Sequence, residues 1–113
     1  MKTVLLSALI SLWSVAAFAH SPLQSTTPAD GAVLAVPPSD IVMVFKGKIR
    51  LTRVTLAHAK GDAQDLVLGD QTAFQQDFMI PLSDFGAGEY LITWRGLGDD
   101  GHAQTGVFAF RVQ

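Results

Sequence analysis

The chain has 113 residues, of which 49% are hydrophobic and 16% charged, so it is long enough for one globular domain and too apolar for a disordered chain. Its formal net charge of -2 gives no support for nucleic-acid binding, since such domains carry clustered positive charge. Cysteine is absent, which excludes disulfides, thiolate zinc sites and thiol catalysis. Any metal site must therefore use histidine, carboxylate, methionine or backbone ligands.

The first segment has the pattern of a secretory signal peptide. A basic Lys2 precedes an almost unbroken apolar run over residues 4–18, and Ala17-Phe18-Ala19 has the small-x-small pattern of a cleavage site. A membrane anchor is the alternative, but a span needs about 20 apolar residues and polar residues follow too soon. We therefore predict a cleaved signal peptide at residues 1–19, export to the periplasm, and one mature domain at residues 20–113.

The mature chain begins with β-rich runs separated by turn residues. Residues 21–27 form a candidate opening strand, and the Pro-Ala-Asp-Gly sequence at 28–31 predicts a turn. A second break at residues 37–40 precedes a candidate strand at 41–45. Both faces of this strand are apolar, so the pattern does not decide which face is buried. Residues 49–59 alternate more clearly between apolar and polar positions and predict the next strand.

The second half of the chain continues the same pattern. Candidate strands at residues 66–68 and 74–80 are followed by a loop at 84–88, and an acidic, glycine-rich connection at 96–101 separates the last two strands. No segment has a convincing helical pattern. We therefore predict an all-β fold, an Ig-like Greek-key sandwich or barrel of about seven strands. The inward-facing positions of the last two strands are Tyr90, Ile92, Trp94, Phe108, Phe110 and Val112.

Histidine is the first candidate metal ligand, and the chain has only three: His20, His58 and His102. Cleavage after Ala19 would make His20 the first residue, whose free α-amine and imidazole can chelate one metal ion together. Pro22 has no amide hydrogen to lose, which discourages copper from binding along the backbone. The alternative for His20 is a frayed, solvent-exposed terminus.

Asp100-Gly101-His102 is the second candidate. In an extended segment, residues i and i+2 point to the same side, so the carboxylate and the imidazole would converge. Asp99 would then face away and ranks second as a carboxylate ligand, and a solvated acidic turn is the alternative. Together with His20, these groups offer two imidazoles, one amine and one carboxylate, a set that favours Cu(II) among divalent metals. We predict a Cu(II) site at His20, Asp100 and His102, and no catalytic residue.

Three segments together resemble one known family. Residues 20–31 look like the mature start of the CopC copper-binding family, residues 88–95 resemble its G-x-Y-x-V-x-W-R strand, and Asp100-Gly-His102 with residues 105–110 resembles its D-x-H, T-G and final-strand signature. The resemblance implies a periplasmic Ig-like β-sandwich that binds Cu(II) and acts in copper tolerance, storage or delivery. It also implies an inner-membrane copper-transport partner of the CopD type, and it supports His20, Asp100 and His102 as ligands.

The chain also departs from relatives in this family. Several relatives carry a Met-rich Cu(I) loop, but residues 57–65 contain no methionine, and Met43 and Met79 are expected to be core or sheet residues. A separate Cu(I) site is therefore not predicted. His58, at the start of that region, is interpreted as a partly buried strand residue, with a metal role left open. Lys46-Gly47 stands where some relatives have an acidic residue.

We predict a copper-binding monomer, and two other functions are alternatives to this prediction. An N-terminal histidine with a second histidine resembles the copper brace of oxidative polysaccharide-cleaving enzymes. The short domain, the lack of an aromatic substrate platform and the carboxylate in the ligand set argue against an enzyme. A metal-free Ig-like adhesion or chaperone module would explain the fold, but it would not explain the position of His20.

Overall fold

The computed structural model describes residues 22–113, and the regular structure in this part of the chain is seven β-strands. It includes no helix long and apolar enough to cross a membrane. The strands are β1 Leu23–Thr27, β2 Val33–Leu34, β3 Asp40–His58, β4 Gln64–Asp65, β5 Gln75–Pro81, β6 Gly88–Gly98 and β7 Ala103–Val112.

The strands form one hydrogen-bonded sheet that curls into a half-barrel. Its main order is β1-β3-β6-β7-β2, and β4 and β5 also pair with β3. All pairs are antiparallel except β2 with β7, which makes the sheet mixed. The prediction of an all-β fold with about seven strands is confirmed, and the sheet has the curled form of the sandwich-or-barrel alternatives.

Strand β3 is longer than the sequence indicated. The runs at 41–45 and 49–59 were expected to be separate strands, but they belong to one strand that bends across Lys46, Gly47 and Lys48. All three of these residues are exposed, and the register of the β3–β5 pairing shifts across them. The first half of β3 pairs with β1 and β5, and the second half pairs with β6 and β4 and keeps one pair with β5, Ile49 with Gln75. The break in alternation therefore marks a bend within a strand and not a turn.

The concave face of the sheet forms the core. The face of β3 that begins with Ile41 is buried, while Val42 and Val44 on the other face are only partly covered, which decides the question that the sequence left open. The six inward-facing positions predicted for the last two strands are confirmed. Burial of one large apolar side chain stabilises the folded state by about 1.5–3 kcal/mol. The core consists of Ile41, Met43, Phe45, Ile49, Leu51, Val54, Leu56, Phe78, Ile80, Tyr90, Ile92, Trp94, Phe108, Phe110 and Val112.

Trp94 lies in this core, as interpreted from the sequence. Its side chain is 1% exposed and packs edge-to-face against Phe45, with ring centroids 5.1 Å apart. Its cross-strand partner is Gly106, where an added Cβ would lie 2.7 Å from Trp94 Nε1. No residue in the range 22–113 accepts a hydrogen bond from that nitrogen. The indole therefore occupies the space that a side chain at position 106 would need.

Three details of the predicted strands are wrong. Residues 66–68 are irregular: Leu66 N still donates to Val54 O of β3 at 2.8 Å, but the regular pairing stops at β4, and Leu66 and Leu68 pack against the core. The two-residue strands β2 and β4 were missed, since each is too short to show a period. Gly96 belongs to β6 and not to the connection, and a Cβ there would lie 2.6 Å from Ile49 Cδ1. Glycine at this position therefore allows close packing and is not a sign of a loop.

Candidate metal site

The turn between β6 and β7 contains two of the three predicted ligands. Residues 99–102 form this turn, which is closed by a hydrogen bond from Gly98 N to His102 O at 2.9 Å. Gly101 N donates to Gly98 O at 2.9 Å, and Gly101 has a φ of 89°, in the left-handed region that glycine adopts without strain. The connection is therefore a tight turn and not the longer flexible segment expected at 96–101.

Asp100 and His102 lie side by side at the tip of this turn. His102 N donates to Asp100 Oδ1 at 3.0 Å, and His102 Nδ1 lies 3.2 Å from Asp100 Oδ2. The two side chains are 60% and 84% exposed. Their proximity was expected from an extended backbone, but an Asx-type turn produces it instead. His102 Nε2 has no partner in the described part of the chain, so one ring nitrogen is available to a ligand.

The turn also sets the charge state of Asp100. The hydrogen bond from the His102 backbone N–H lowers the pKa of the Asp100 carboxyl below its usual value, and the attraction and hydrogen bond of the His102 ring act in the same direction. Asp100 therefore stays ionised to a lower pH than an ordinary aspartate. An ionised carboxylate is the form that can bind a metal cation.

A cleft of about 160 Å³ adjoins the turn. Its walls include Pro22 directly before β1, Lys48 in the bend of β3, and both Asp99 and Asp100. Asp99 was expected to face away from the site on the assumption of an extended segment, but these residues form a turn and both Asp99 and Asp100 line the cleft. The Pro22 carbonyl accepts a hydrogen bond from Lys46 N at 2.9 Å, which fixes the start of β1 beside the cleft.

The third predicted ligand, His20, lies outside the described residues. Within residues 22–113 no group of three or more His, Cys, Asp or Glu side chains could hold a metal ion. Asp100 and His102 are thus a pair of donors that needs at least one further ligand. Pro22, which is two residues after His20 in the chain, is part of the wall of the cleft beside them.

His58 lies away from this turn. It pairs with Tyr90 near the start of β6, whereas Asp100 and His102 follow the end of that strand. Its Nε2 is 2.8 Å from Ala87 O, and its ring packs against Tyr90 with centroids 4.9 Å apart. These contacts agree with the interpretation of His58 as a partly buried strand residue, because one ring nitrogen is held by the backbone.

Two residues of the cleft were missed from the sequence. A Cβ at Gly98 would lie 2.8 Å from Gln104 Nε2 and 2.9 Å from Asp100 Oδ1, so glycine leaves room for both side chains. Gln104 also lines the cleft. A glycine directly before two aspartates was the only signal of this packing, and it was interpreted as loop flexibility.

Comparisons with known proteins identify the fold and the family. A family model described as the CopC domain matches residues 23–113. Copper resistance protein C of Pseudomonas syringae pv. tomato is 31% identical over 111 residues, which cover 90% of this chain and 87% of that protein. Copper resistance protein C of Escherichia coli is 28% identical over an alignment of 123 residues, covering 99% of this chain and 96% of that protein.

Solved structures agree with this result. The crystal structure of CopC from Methylosinus trichosporium OB3b matches with a TM-score of 0.64 at 20% identity, covering 83% of this chain and 94% of that one. PcoC, a methionine-rich copper resistance protein from Escherichia coli, matches with a TM-score of 0.58 at 25% identity, covering 84% of this chain and 100% of that one.

The fold is therefore that of the small all-β proteins represented by these structures. The chain belongs to the CopC family of copper resistance proteins. This family binds copper, is typically periplasmic and is not enzymatic, so the resemblance seen in the sequence is confirmed and the enzyme alternative is set aside. The matched region begins at residue 23 and does not include His20.

Proposed function

We propose that this protein binds one Cu(II) ion in the periplasm through the free amine and imidazole of His20 together with Asp100 and His102. The mature domain would span residues 20–113 after removal of a signal peptide at residues 1–19. The observation that carries the proposal is the exposed Asp100–His102 pair beside a cleft whose wall includes Pro22. Membership of a copper-binding family supports copper as the cargo.

The reach of the chain supports the participation of His20. Pro22 is held beside the cleft by its hydrogen bond to Lys46 N. An extended chain covers about 3.3–3.6 Å per residue, so two residues span about 7 Å. A free amine and an imidazole at position 20 would therefore be within reach of the Asp100 side of the cleft.

The donor set supports Cu(II) over Cu(I). Two imidazoles, one amine and one carboxylate suit the tetragonal geometry of Cu(II), whereas Cu(I) prefers softer sulfur ligands. No methionine is among the residues that line the cleft. Reduction of the ion would weaken its binding, and so would acidification, because protons compete for the imidazoles and the amine. Either change would allow the protein to deliver the copper that it sequesters.

The proposal extends to a partner and an oligomeric state. A membrane copper transporter of the CopD type would receive or supply the ion, and the protein would act as a monomer. Asp99 is the competing carboxylate, because it lines the same cleft as Asp100. The metal-free binding module is the remaining alternative, and a titration with Cu(II) distinguishes it from the copper-binding function.

The experiment begins with the mass of the protein secreted into the periplasm, which should correspond to a chain starting at His20. Cu(II) is then titrated against a competing chelator. Adding one glycine before His20, or replacing His102 with alanine, should weaken binding by more than about 100-fold, because each change removes a ligand. Asp100→Asn should also weaken binding, while the matched control Asp99→Asn should change the affinity less than about threefold.

Two results would contradict the proposal. A secreted chain that starts at another residue would remove the free amine from position 20. An unchanged affinity in the glycine-extended form would show that the amine does not bind the metal. If Asp99→Asn is the damaging change instead, then Asp99 and not Asp100 supplies the carboxylate.

A further inference from the structure

The exposed face of strands β3 and β6 carries an unusual pair of arginines. Arg53 and Arg95 are directly opposite each other in the antiparallel pairing, and Thr55 and Thr93 form an adjacent pair. Both arginines are exposed, so they lie on the face opposite the core. Like charges directly opposite each other destabilise a strand pair. We call the four residues Arg53, Thr55, Thr93 and Arg95 the arginine face.

Most hydrogen-bond donors of the arginine face are unused. Arg53 Nε donates to Asp65 Oδ1 at 2.7 Å, and this contact leaves the two terminal nitrogens of the guanidinium free. Within residues 22–113, the side chains of Arg95, Thr55 and Thr93 make no hydrogen bond or ion pair. A planar guanidinium binds a carboxylate through two parallel hydrogen bonds. The arginine face therefore has free hydrogen-bond donors for a second anion, because the Asp65 carboxylate binds only one nitrogen of Arg53.

Two adjoining grooves meet at Arg95. The first, of about 200 Å³, is lined by the arginine face and by Ala63. The second, of about 410 Å³, is mainly apolar and is lined by Arg95, Thr52, Leu97, Ala103, Thr105 and Gln104. Gln104 also lines the cleft beside the Asp99–His102 turn. Leu97 and Ala103 lie at the ends of β6 and β7 that the Asp99–His102 turn connects, so the apolar groove reaches from Arg95 to this turn.

We propose that the two grooves dock an extended acidic segment of a partner protein, with a carboxylate on the arginine pair and an apolar side chain in the groove beside Leu97. Charge complementarity supports this occupant, because two arginines are concentrated on one face of a chain whose net charge is -2. Free phosphate would leave the apolar groove unfilled. An anionic membrane is also a poor occupant, because its surface would be repelled by Asp65 on the same face and by the acidic turn at one end of it.

The docking itself does not depend on copper. Its role in copper transfer does rest on the proposed function, because the docked segment would end beside the proposed site. A partner held there would have its own copper ligands close to Asp100 and His102, which shortens the path of the ion from one protein to the other.

The test uses the mature protein without copper and a fluorescein-labelled peptide that repeats Asp-Glu-Leu twice. Fluorescence anisotropy should show binding that weakens as the ionic strength rises to about 0.15 M. Arg95→Gln should weaken binding about fivefold, the factor that corresponds to an exposed ion pair. The matched control is Arg111→Gln, since Arg111 is exposed at the other end of β7, opposite Glu89. It should change binding less than about twofold.

Asp65→Asn is a second variant, and it should change the affinity for the peptide in the opposite direction. It removes the carboxylate that competes for Arg53, so the Asp-Glu-Leu peptide should bind more tightly by about two- to fivefold. A matched peptide with Asn-Gln-Leu repeats should not bind. Replacement of leucine by serine in the acidic peptide should also weaken binding, because the apolar groove would lose its occupant.

Several outcomes would overturn the inference. One is equal weakening by Arg95→Gln and Arg111→Gln, which would indicate attraction to net charge only. A second is that inorganic phosphate displaces the peptide while replacement of its leucines has no effect. A third is that the protein binds vesicles of anionic lipid but not the peptide. Cu(II) titration of Arg95→Gln separates the two proposals, because that variant should keep the copper affinity of the wild-type chain. Peptide binding by a protein that takes up no copper would contradict the proposed function alone.

Discussion

Gly106 has no side chain, and this leaves the space that Trp94, the largest core residue, occupies. Trp94 lies across the strand from Gly106, and its Nε1 occupies the space next to the glycine Cα. The indole is also packed against Phe45, so it cannot move away without opening the core. Interiors of proteins are close-packed, and even one added methyl group forces neighbouring side chains or backbone to shift.

Gly106→Ala is therefore expected to lower the free energy of unfolding by about 1–3 kcal/mol, the usual cost of overpacking a core. Urea unfolding followed by Trp94 fluorescence measures the change. The matched control is Gly47→Ala, because an added Cβ at position 47 meets no atom within 4 Å. Equal stability of the two variants would mean that the indole tolerates displacement from its place above Gly106.

The sequence predicted the inward-facing aromatic residues well because a period of two is strong over Tyr90 to Trp94 and Phe108 to Val112. It also placed Asp100 and His102 together, although for a different reason. The i, i+2 rule applies to extended backbone, whereas Gly101 at positive φ and the Asp100 carboxylate produce a turn. The sequence could not exclude Asp99 from the site, because the orientation of its side chain depends on that turn.

At the scale of elements, the turn at residues 28–31 is a clasp between the start of the chain and the last strand. Asp30 Oδ1 accepts a hydrogen bond from Ala109 N at 2.9 Å, and Gly31 N donates to Ala109 O at 2.7 Å. Both polar groups of Ala109 on this edge of β7 are thus paired with the turn. The Pro-Ala-Asp-Gly sequence predicted a turn, but nothing in it indicated the strand that the turn contacts.

Asp30→Ala is expected to destabilise the domain by about 1–2 kcal/mol, because the Ala109 N–H loses a charged acceptor. Asp30→Asn keeps an oxygen acceptor and should lose less. Thermal unfolding by circular dichroism provides the measurement, with Asp62→Ala as the control, since Asp62 is exposed and has no partner within residues 22–113. A similar loss in the control would assign the effect to net charge and not to the clasp.

Element boundaries were harder to predict than the faces of the strands. Lys46-Gly47-Lys48 interrupts the alternation and contains a glycine, two features that are typical of a turn, yet the chain continues in the same strand. The bend is stabilised by partners far away in sequence, because β1 pairs before it, β6 pairs after it and β5 pairs on both sides of it. Local pattern alone does not contain this information.

At the scale of the whole molecule, folding and the proposed copper site are separable. Within residues 22–113, the fifteen core residues lie between positions 41 and 112, and the Pro22 carbonyl is already hydrogen-bonded to the sheet. The core of the described residues is therefore built from β3 and the strands that follow it. The proposed site, in contrast, depends on His20.

A chain that starts at Pro22 is expected to unfold at the same temperature as the metal-free chain that starts at His20. Excess Cu(II) should stabilise only the longer chain, by about 2.7 kcal/mol when the free ion is at 100 times its dissociation constant. Differential scanning calorimetry with and without Cu(II) measures both effects. Equal stabilisation of both chains would place the copper ligands entirely within residues 22–113.

The bend in β3 has a consequence for how the domain loses its structure. One strand supplies hydrogen-bonding partners to four others, β1, β4, β5 and β6, so neither half of the half-barrel has a complete edge of its own. If one half unfolded, β3 would lose part of its pairing and could no longer hold the strands of the other half in position. The domain is therefore expected to behave as a single cooperative, two-state unit, with no half-folded form in which only one part of the sheet survives.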